Sequence, residues 1–383
     1  MNIGVDVRPL IYPNTGNANF LFYLLKEVIR LSNKNWKWKL FSHKPIYEGF
    51  LDILKDNTEI IIQTSRIQRI GPIWLHLFLP KKLKKHKIDV FWSTLFLLPY
   101  DFKKRISIPC LLNIHDLNAW VFPNTMKTWE SKYLKAFTRN SLKNADEILC
   151  LSNTTRDLIL KFFSLDLQNF QNKLKVIYPG IIEPPKIRKK PLSLTISKEN
   201  FFLAVGTIEP RKNFEVLMKA YIEAQKKFPY LPPLIIAGKP GWKLTPLLQK
   251  LCNQELKSNH IYFLNSPKIE ELYWLYENCS VFFYPSIYEG FGLQILEASY
   301  FKKIQIVSNI SIFKEIGKHL EGIYYVEDPL NLQQWEEKIL MFSNPRNIKL
   351  YGKSIKNKNI FSVFNYTESA KKIIEILQKY DKI

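Results

Sequence analysis

Two glutamates eight positions apart, Glu289 and Glu297, stand in the stretch Ser280-Val281-Phe282-Phe283-Tyr284-Pro285-Ser286-Ile287-Tyr288-Glu289-Gly290-Phe291-Gly292-Leu293-Gln294-Ile295-Leu296-Glu297-Ala298. It reads as a buried strand, a turn with two glycines and the start of a helix. Glycines at such a junction let an anion approach backbone amides at the helix N-terminus, where unpaired N–H groups and the dipole favour phosphate. At that spacing the carboxylates neither share a proton nor grip one metal; each can hydrogen-bond sugar hydroxyls at different ends of one ligand. The plainer alternative is a tight turn with a solvated acidic pair.

A second constellation is Phe202-Leu203-Ala204-Val205-Gly206-Thr207-Ile208-Glu209-Pro210-Arg211-Lys212-Asn213, a strand whose following loop enters a helix. Two adjacent cations, Arg211 and Lys212, oppose the dipole at a helix N-terminus, so an ordinary surface pair is disfavoured there. They suit a departing diphosphate, since stabilising developing charge is often the largest catalytic term. Leu111-Leu112-Asn113-Ile114-His115-Asp116 places a histidine at a strand's carboxyl end, although a lone His-Asp is more often structural. Gly16, in the loop Pro13 to Asn19 after the first strand, lets backbone approach a ligand or serves only a turn. Leu264-Asn265-Ser266 follows a strand at Ile261.

These residues need elements to hold them. Strand-like runs at 2–7, 59–63, 88–92, 108–114, 146–151 and 174–177 alternate with helical patterns at 17–32, 128–144 and 153–164. The pattern restarts with strands at 201–205, 233–237, 260–263, 280–284 and 304–307 and a helix at 213–227. Such alternation predicts α/β architecture, with parallel sheets covered by helices on both faces. At 383 residues the chain exceeds one core. The expected division is 1–182, a breaker-rich linker at 183–200, 201–365, and a C-terminal helix in 366–383 packing back toward the first domain. Ligands in open α/β sheets bind beyond the strands' carboxyl ends where strand order reverses, so two such domains face to face make a cleft for two substrates.

Composition narrows the classes. Apolar residues form 46% of the chain, which argues against disorder. Met1 to Val7 alternates like a strand and lacks signal-peptide features, so the mature protein is expected to begin inside the fold. The apolar stretches at 71–80 and 90–100 are too short to cross a bilayer, which needs about 20 residues. Cys110, Cys150, Cys252 and Cys279 lack metal-ligand spacing and read as thiols in a reducing compartment, giving a cytoplasmic expectation. The formal charge of +22 calls for anionic partners. Lysines are densest at 81–87, directly after the aromatic-rich run at 73–79. That pairing suits peripheral binding to an anionic membrane surface, on the inner face of the cytoplasmic membrane; the alternative is a solvated helix end whose apolar face is core. Nucleic acid is not expected as a partner, because no helix-turn-helix, zinc or RNA-binding signature accompanies the charge.

Glu289-Gly-Phe-Gly-Leu through Glu297 resembles the E-x7-E motif of family 4 glycosyltransferases, which have the GT-B fold: two facing Rossmann-like doubly wound domains with an interdomain cleft. The resemblance covers most of the chain and is strongest after residue 200. It implies that Glu289 contacts the transferred sugar, that Glu297 binds the ribose hydroxyls, and that amides around Gly290, Phe291, Gly292 and Leu293 hold the diphosphate. It also implies that Arg211 and Lys212 neutralise the diphosphate, that His115 contacts sugar hydroxyls, that Gly16 approaches the donor phosphate, and that Leu264 and Asn265 pack on the base. The chain departs from common family residues at Thr207 (arginine), Ala18 (glycine) and Asn265 (glycine).

No Asp-x-Asp occurs, and no His or Cys spacing suggests a metal, so the expectation is no cofactor and no divalent ion. The family retains anomeric configuration, generally without a well-placed enzymic nucleophile, and the leaving phosphate is thought to help deprotonate the acceptor. The Glu-Pro-Arg-Lys-Asn segment and Ala237-Gly238-Lys239-Pro240-Gly241-Trp242 look most like bacterial mannosyltransferases that build surface polysaccharide. That implies GDP-mannose as donor, with UDP-hexoses open, and a glycan or lipid-linked glycan as acceptor. A glycoside hydrolase using Glu289 and Glu297 as acid and base is the competing enzyme, but it has no use for a diphosphate site.

Overall fold

The computed structural model describes residues 1–13, 15–53, 57–62, 70–163, 167–194, 196, 200–353, 355–357 and 360–381. Parts of five expected segments lie outside the described residues: position 14 of the glycine loop, 63 and 164 at the ends of a strand and a helix, 195 and 197–199 of the linker, and 382–383 of the C-terminal segment.

The chain divides into two compact units, one formed by Met1–Gly180 with the described part of 363–383 and the other by Ile181–Ser362. Among its described residues the first contains seven strands: β1 (Asn2–Asp6), β2 (Lys37–Ser42), β3 (Thr58–Ile62), β4 (Val90–Ser93), β5 (Cys110–Ile114), β6 (Glu147–Cys150) and β7 (Leu174–Val176). They pair in the order β3-β2-β1-β4-β5-β6-β7, all parallel. Strand order reverses between β1 and β4, which defines a doubly wound sheet. β4, β5 and β6 are buried along their whole length, as a sheet covered on both faces requires.

Helix α1 (Gly16–Leu31) starts at Thr15, whose hydroxyl accepts from the Ala18 amide at 3.3 Å, and buries Leu21, Leu24, Leu25 and Val28 along one stripe. Gly16 is therefore the first residue of a helix rather than part of a loop, a correction to the sequence reading. The threonine cap draws the helix forward over the glycine. Helix α2 (Thr128–Asn144) follows β5. The C-terminal helix, Tyr366–Gln378, belongs to this unit: Thr367 donates to Glu27 at 2.9 Å, Ser369 donates to the Tyr178 carbonyl at 2.6 Å, and Lys379 pairs with Glu147 at 2.7 Å.

The aromatic-rich run before the lysines is core. Trp74, Leu75, Leu79 and Leu83 are buried against Phe91, Leu98 and Phe102, and among the run's large apolar groups Leu77 points outward. An exposed apolar membrane face at 73–79 is thus corrected: burying the row stabilises the unit by more than exposure allows.

Among its described residues the second unit has six strands: β8 (Phe202–Val205), β9 (Leu234–Gly238), β10 (Ile261–Asn265), β11 (Val281–Tyr284), β12 (Ile304–Ser308) and β13 (Ile323–Val326). Their order is β10-β9-β8-β11-β12-β13, again parallel, with the reversal between β8 and β11. Residues before β8 are tied to this unit: Arg188 grips Glu277 through two bonds of 2.7 and 2.8 Å. Helix α3 (Phe214–Lys227) leaves the β8 loop and helix α4 (Leu293–Tyr300) leaves the β11 loop. β2 and β13 were not expected. Alternating lysines hide β2, where Trp38 and Leu40 face the core, and β13 is a partly exposed edge.

No described helix is long and apolar enough to cross a membrane.

Candidate active site

The β8 and β11 loops emerge side by side at the strand reversal of the second unit, so topology alone brings Arg211, Lys212 and Glu289 together. After β8 the chain makes a single 3-10 turn, Pro210–Lys212, then passes through Asn213 at φ 56° into α3. Gly238 at the end of β9 makes room for this loop, since a Cβ there would lie 1.9 Å from the Gly206 carbonyl oxygen. After β11 the chain turns through Glu289-Gly290-Phe291 to Gly292, whose φ of 100° begins α4. A Cβ at Gly292 would stand 2.9 Å from the Phe313 ring and 3.2 Å from that of Tyr284. The Ile287 amide donates to the Arg211 carbonyl at 2.9 Å and stitches the two loops together.

Glu289 is buried and both of its oxygens are taken. Oε2 accepts from Arg211 Nη1 at 2.5 Å, and Oε1 accepts from Lys212 Nζ at 2.5 Å. Arg211 also donates to the Tyr288 carbonyl at 3.0 Å and pairs with Glu209 at 2.8 Å. Lys212 donates to the Tyr284 hydroxyl at 3.1 Å and lies over that ring, 5.0 Å from its centroid. The Tyr284 hydroxyl in turn donates a hydrogen bond to Gln294 Oε1 at 2.8 Å. Burial alone would raise the Glu289 pKa, but Arg211 and Lys212 overcome it and bring the carboxyl down to about 2. Burial lowers the Lys212 ammonium, against the pull of Glu289.

Glu297, one turn into α4, is partly exposed and outside this ion cluster. Burial raises its pKa, offset in part by the nearby Tyr276 hydroxyl. Among the described residues no side chain caps α4; the Ile295 amide donates to the Gly292 carbonyl at 3.0 Å, while the Leu293 and Gln294 amides stand ahead of any i−4 helical acceptor. Leu264 and Asn265 are strand residues, paired with Ala237 and Gly238 of β9, and the loop begins only at Ser266. Their expected place in a loop is corrected: β10 runs the full length of its neighbour, with Asn265 exposed at its tip and Leu264 buried.

In the first unit His115 follows β5. It is buried, with Nε2 donating to the Thr94 carbonyl at 2.7 Å and the rings of Phe20 and Phe96 against it. Burial lowers its pKa, so the imidazole is neutral, and Nδ1 is a buried acceptor without a hydrogen-bond partner among the described residues. Sequence reasoning missed three participants in the second unit, Glu209, Tyr284 and Gln294. Glu209 carried a signal, because an acid two residues before an arginine in a turn can fold back on it. It also missed Asp6 and Arg8 of the first unit. Fully buried Asp6 is held by the Arg8 guanidinium at 2.7 to 3.0 Å, and Arg8 lies 5.4 Å from the Trp74 ring. Among the described residues no group of three or more His, Cys, Asp or Glu side chains is placed to hold a metal ion.

Two doubly wound parallel units, with cations and glycine-bounded helix ends at the strand reversal of the second, define a GT-B glycosyltransferase. Residues 186–358 match the glycosyl transferases group 1 pattern and residues 57–182 match glycosyltransferase family 4. The chain belongs to this family of glycosyltransferases. It is 29% identical to the O-antigen chain mannosyltransferase RfbU of Salmonella typhimurium, over 73% of each chain. It is 25% identical to O-antigen chain mannosyltransferase B of Escherichia coli, over 82% of this chain and 84% of that one. Among solved structures, HepE of Anabaena superposes with a TM-score of 0.69 at 16% identity, covering 99% of this chain and 100% of that one. The lipopolysaccharide glycosyltransferase WaaG gives a TM-score of 0.69 at 12% identity, covering 98% and 99%.

Proposed function

We propose that this glycosyltransferase moves mannose from GDP-mannose to a glycan or lipid-linked glycan acceptor with retention of anomeric configuration, without a divalent ion. The observation that carries the reading is the Arg211–Lys212–Glu289 cluster at the strand reversal, beside uncapped amides of α4. Arg211 and Lys212 take the charge that grows on the leaving diphosphate, and the α4 amides near Gly290 to Leu293 add donors. Two fixed cations supply the charge a metal would otherwise bring. Glu289, held ionised, turns to the transferred sugar and stabilises its oxocarbenium-like centre. Glu297 accepts from the ribose hydroxyls, and Leu264 with Asn265 borders the base. His115 offers Nδ1 to a substrate hydroxyl, and Gly16, at the amino end of α1, offers backbone N–H groups.

Mannose and a surface-polysaccharide acceptor are favoured because both O-antigen relatives are named as mannosyltransferases. HepE, solved with UDP and glucose, keeps a UDP-hexose as the second donor to try. We assign the charge of the first unit to an anionic membrane surface. The outward positions of α2 carry Lys132, Lys135, Arg139 and Lys143, with Trp129 59% exposed near its start.

The test supplies GDP-mannose and a lipid-diphosphate-linked glycan in EDTA, and reads the product's anomeric configuration by NMR. Mannose added with retained configuration supports the reading. An inverted product overturns the mechanism, activity with UDP-hexoses alone overturns the donor, and activity restored only by a divalent ion overturns metal independence.

A further inference from the structure

Glu209 is buried to 3% exposure on the same loop as the two cations, and its Oε1 lies 2.8 Å from Arg211 Nη2. The four side chains Glu209, Arg211, Lys212 and Glu289 carry formal charges that cancel. Within this group the two acids differ. Glu289 sits on the β11 loop with both oxygens on the cations, so a ligand that recruits it must break two ion pairs. Glu209 belongs to the cations' own 3-10 turn, where its carbonyl accepts the Lys212 amide at 3.0 Å. It therefore travels with the cations whatever Glu289 does.

We propose that Glu209 is a positioning and charge-balancing residue that keeps the Arg211–Lys212 pair from holding the product nucleoside diphosphate too tightly. The inference rests on the reading of these cations as the diphosphate site. A group that stabilises charge in the transition state is useful only if it releases that charge afterwards. An unopposed guanidinium and ammonium beside a diphosphate give a tight product complex; a buried carboxylate in contact with the arginine subtracts from the field at little cost to geometry. It also fixes the guanidinium plane, because one edge is bound to Glu209 and another to the Tyr288 carbonyl.

The experiment compares wild type, Glu209→Gln and Glu209→Asp by calorimetric titration with GDP, UDP and the matching nucleosides, and by pre-steady-state and steady-state turnover with the preferred donor. Removing a unit charge a few ångströms from the phosphates should tighten diphosphate binding by about tenfold or more. In Glu209→Gln, nucleoside affinity should stay unchanged, and kcat should fall while a first-turnover burst survives. Glu209→Asp, which keeps the charge, should bind diphosphate like wild type. Should Glu209→Gln fail to fold, Glu209→Ala carries the same sign. A charge-neutral variant that binds diphosphate equally or more weakly overturns the proposal, leaving Glu209 a mere tether. Wild type that binds neither GDP nor UDP overturns the transferase reading instead.

Discussion

The two sheets have the same winding, yet the ledges at their strand reversals are built of different chemistry. In the second unit the β8 and β11 loops deliver two cations and two carboxylates into one interlocked cluster. In the first, the corresponding strands β1 and β4 are joined by the Thr94 hydroxyl, which donates to the Asp6 carbonyl at 2.5 Å. The charge there is a closed Asp6–Arg8 pair, and nearby His115 is neutral. A doubly wound sheet thus supplies a place, and the loop residues decide what it handles. The second ledge can meet a diphosphate; the first offers neutral hydrogen bonding.

That contrast can be broken most forcefully at Glu289. Glu289→Ala strips both cations of their shared partner and leaves Lys212 buried, so transfer should fall by about 10²- to 10³-fold. Breaking a buried pair should also cost about 3–5 kcal/mol in chemical denaturation. The result against the account is near-normal turnover in a folded variant.

Gly292→Ala comes next. It forces a Cβ into the Phe313 ring at a φ of 100°, and should destabilise the protein by about 1–3 kcal/mol with transfer reduced as α4 shifts. An unchanged melting temperature would show that the junction tolerates a side chain.

Acid and alkali sharpen the comparison further. The Glu289 carboxyl is depressed from 4.5 to about 2, so it contributes stability above pH 4.5 that is lost as pH falls through about 2. Stability should decline across that window in wild type and much less in Glu289→Gln. Lys212 is lowered from 10.5, so transfer should fall on the alkaline side at a pH below 10.5, and Lys212→Arg should move that limb upward. A limb that stays in place assigns it to another group.

The smallest effect is expected at His115. His115→Asn keeps a hydrogen-bonding group without a titrating one, and should lower transfer by about tenfold or less with no change in the acid limb. A large loss with a shifted pH profile would make His115 a proton-transfer group and erase the contrast between the two ledges.

The repeated short strands, the two-domain length and the E-x7-E spacing carried the architecture and the Glu289 region into view from sequence. Residues paired across distant segments were harder. Tyr284 reaches Lys212 because β8 and β11 are neighbours, and strand order is not written locally, whereas Glu209 folds back on Arg211 within one turn and was legible in the sequence. β2 escaped because Lys37 and Lys39 mask the alternation of Trp36, Trp38 and Leu40. The 73–79 run left two readings open for a related reason: Trp74, Leu75 and Leu79 are buried while Leu77 and the neighbouring lysines face water, and composition does not separate that arrangement from a membrane face. Thr15 was equally visible and would have placed Gly16 inside α1, since a threonine ahead of a helical pattern is a cap signal.

The central claim is that the second unit binds a nucleotide sugar through Arg211 and Lys212 with no metal. Its most direct test is a calorimetric titration of GDP-mannose, UDP-glucose and UDP-N-acetylglucosamine into wild type and Arg211→Ala in EDTA. The account predicts saturable binding, tightest for GDP-mannose and at least about tenfold weaker in the variant. Absence of binding by any of the three, or binding indifferent to the loss of Arg211, would contradict it.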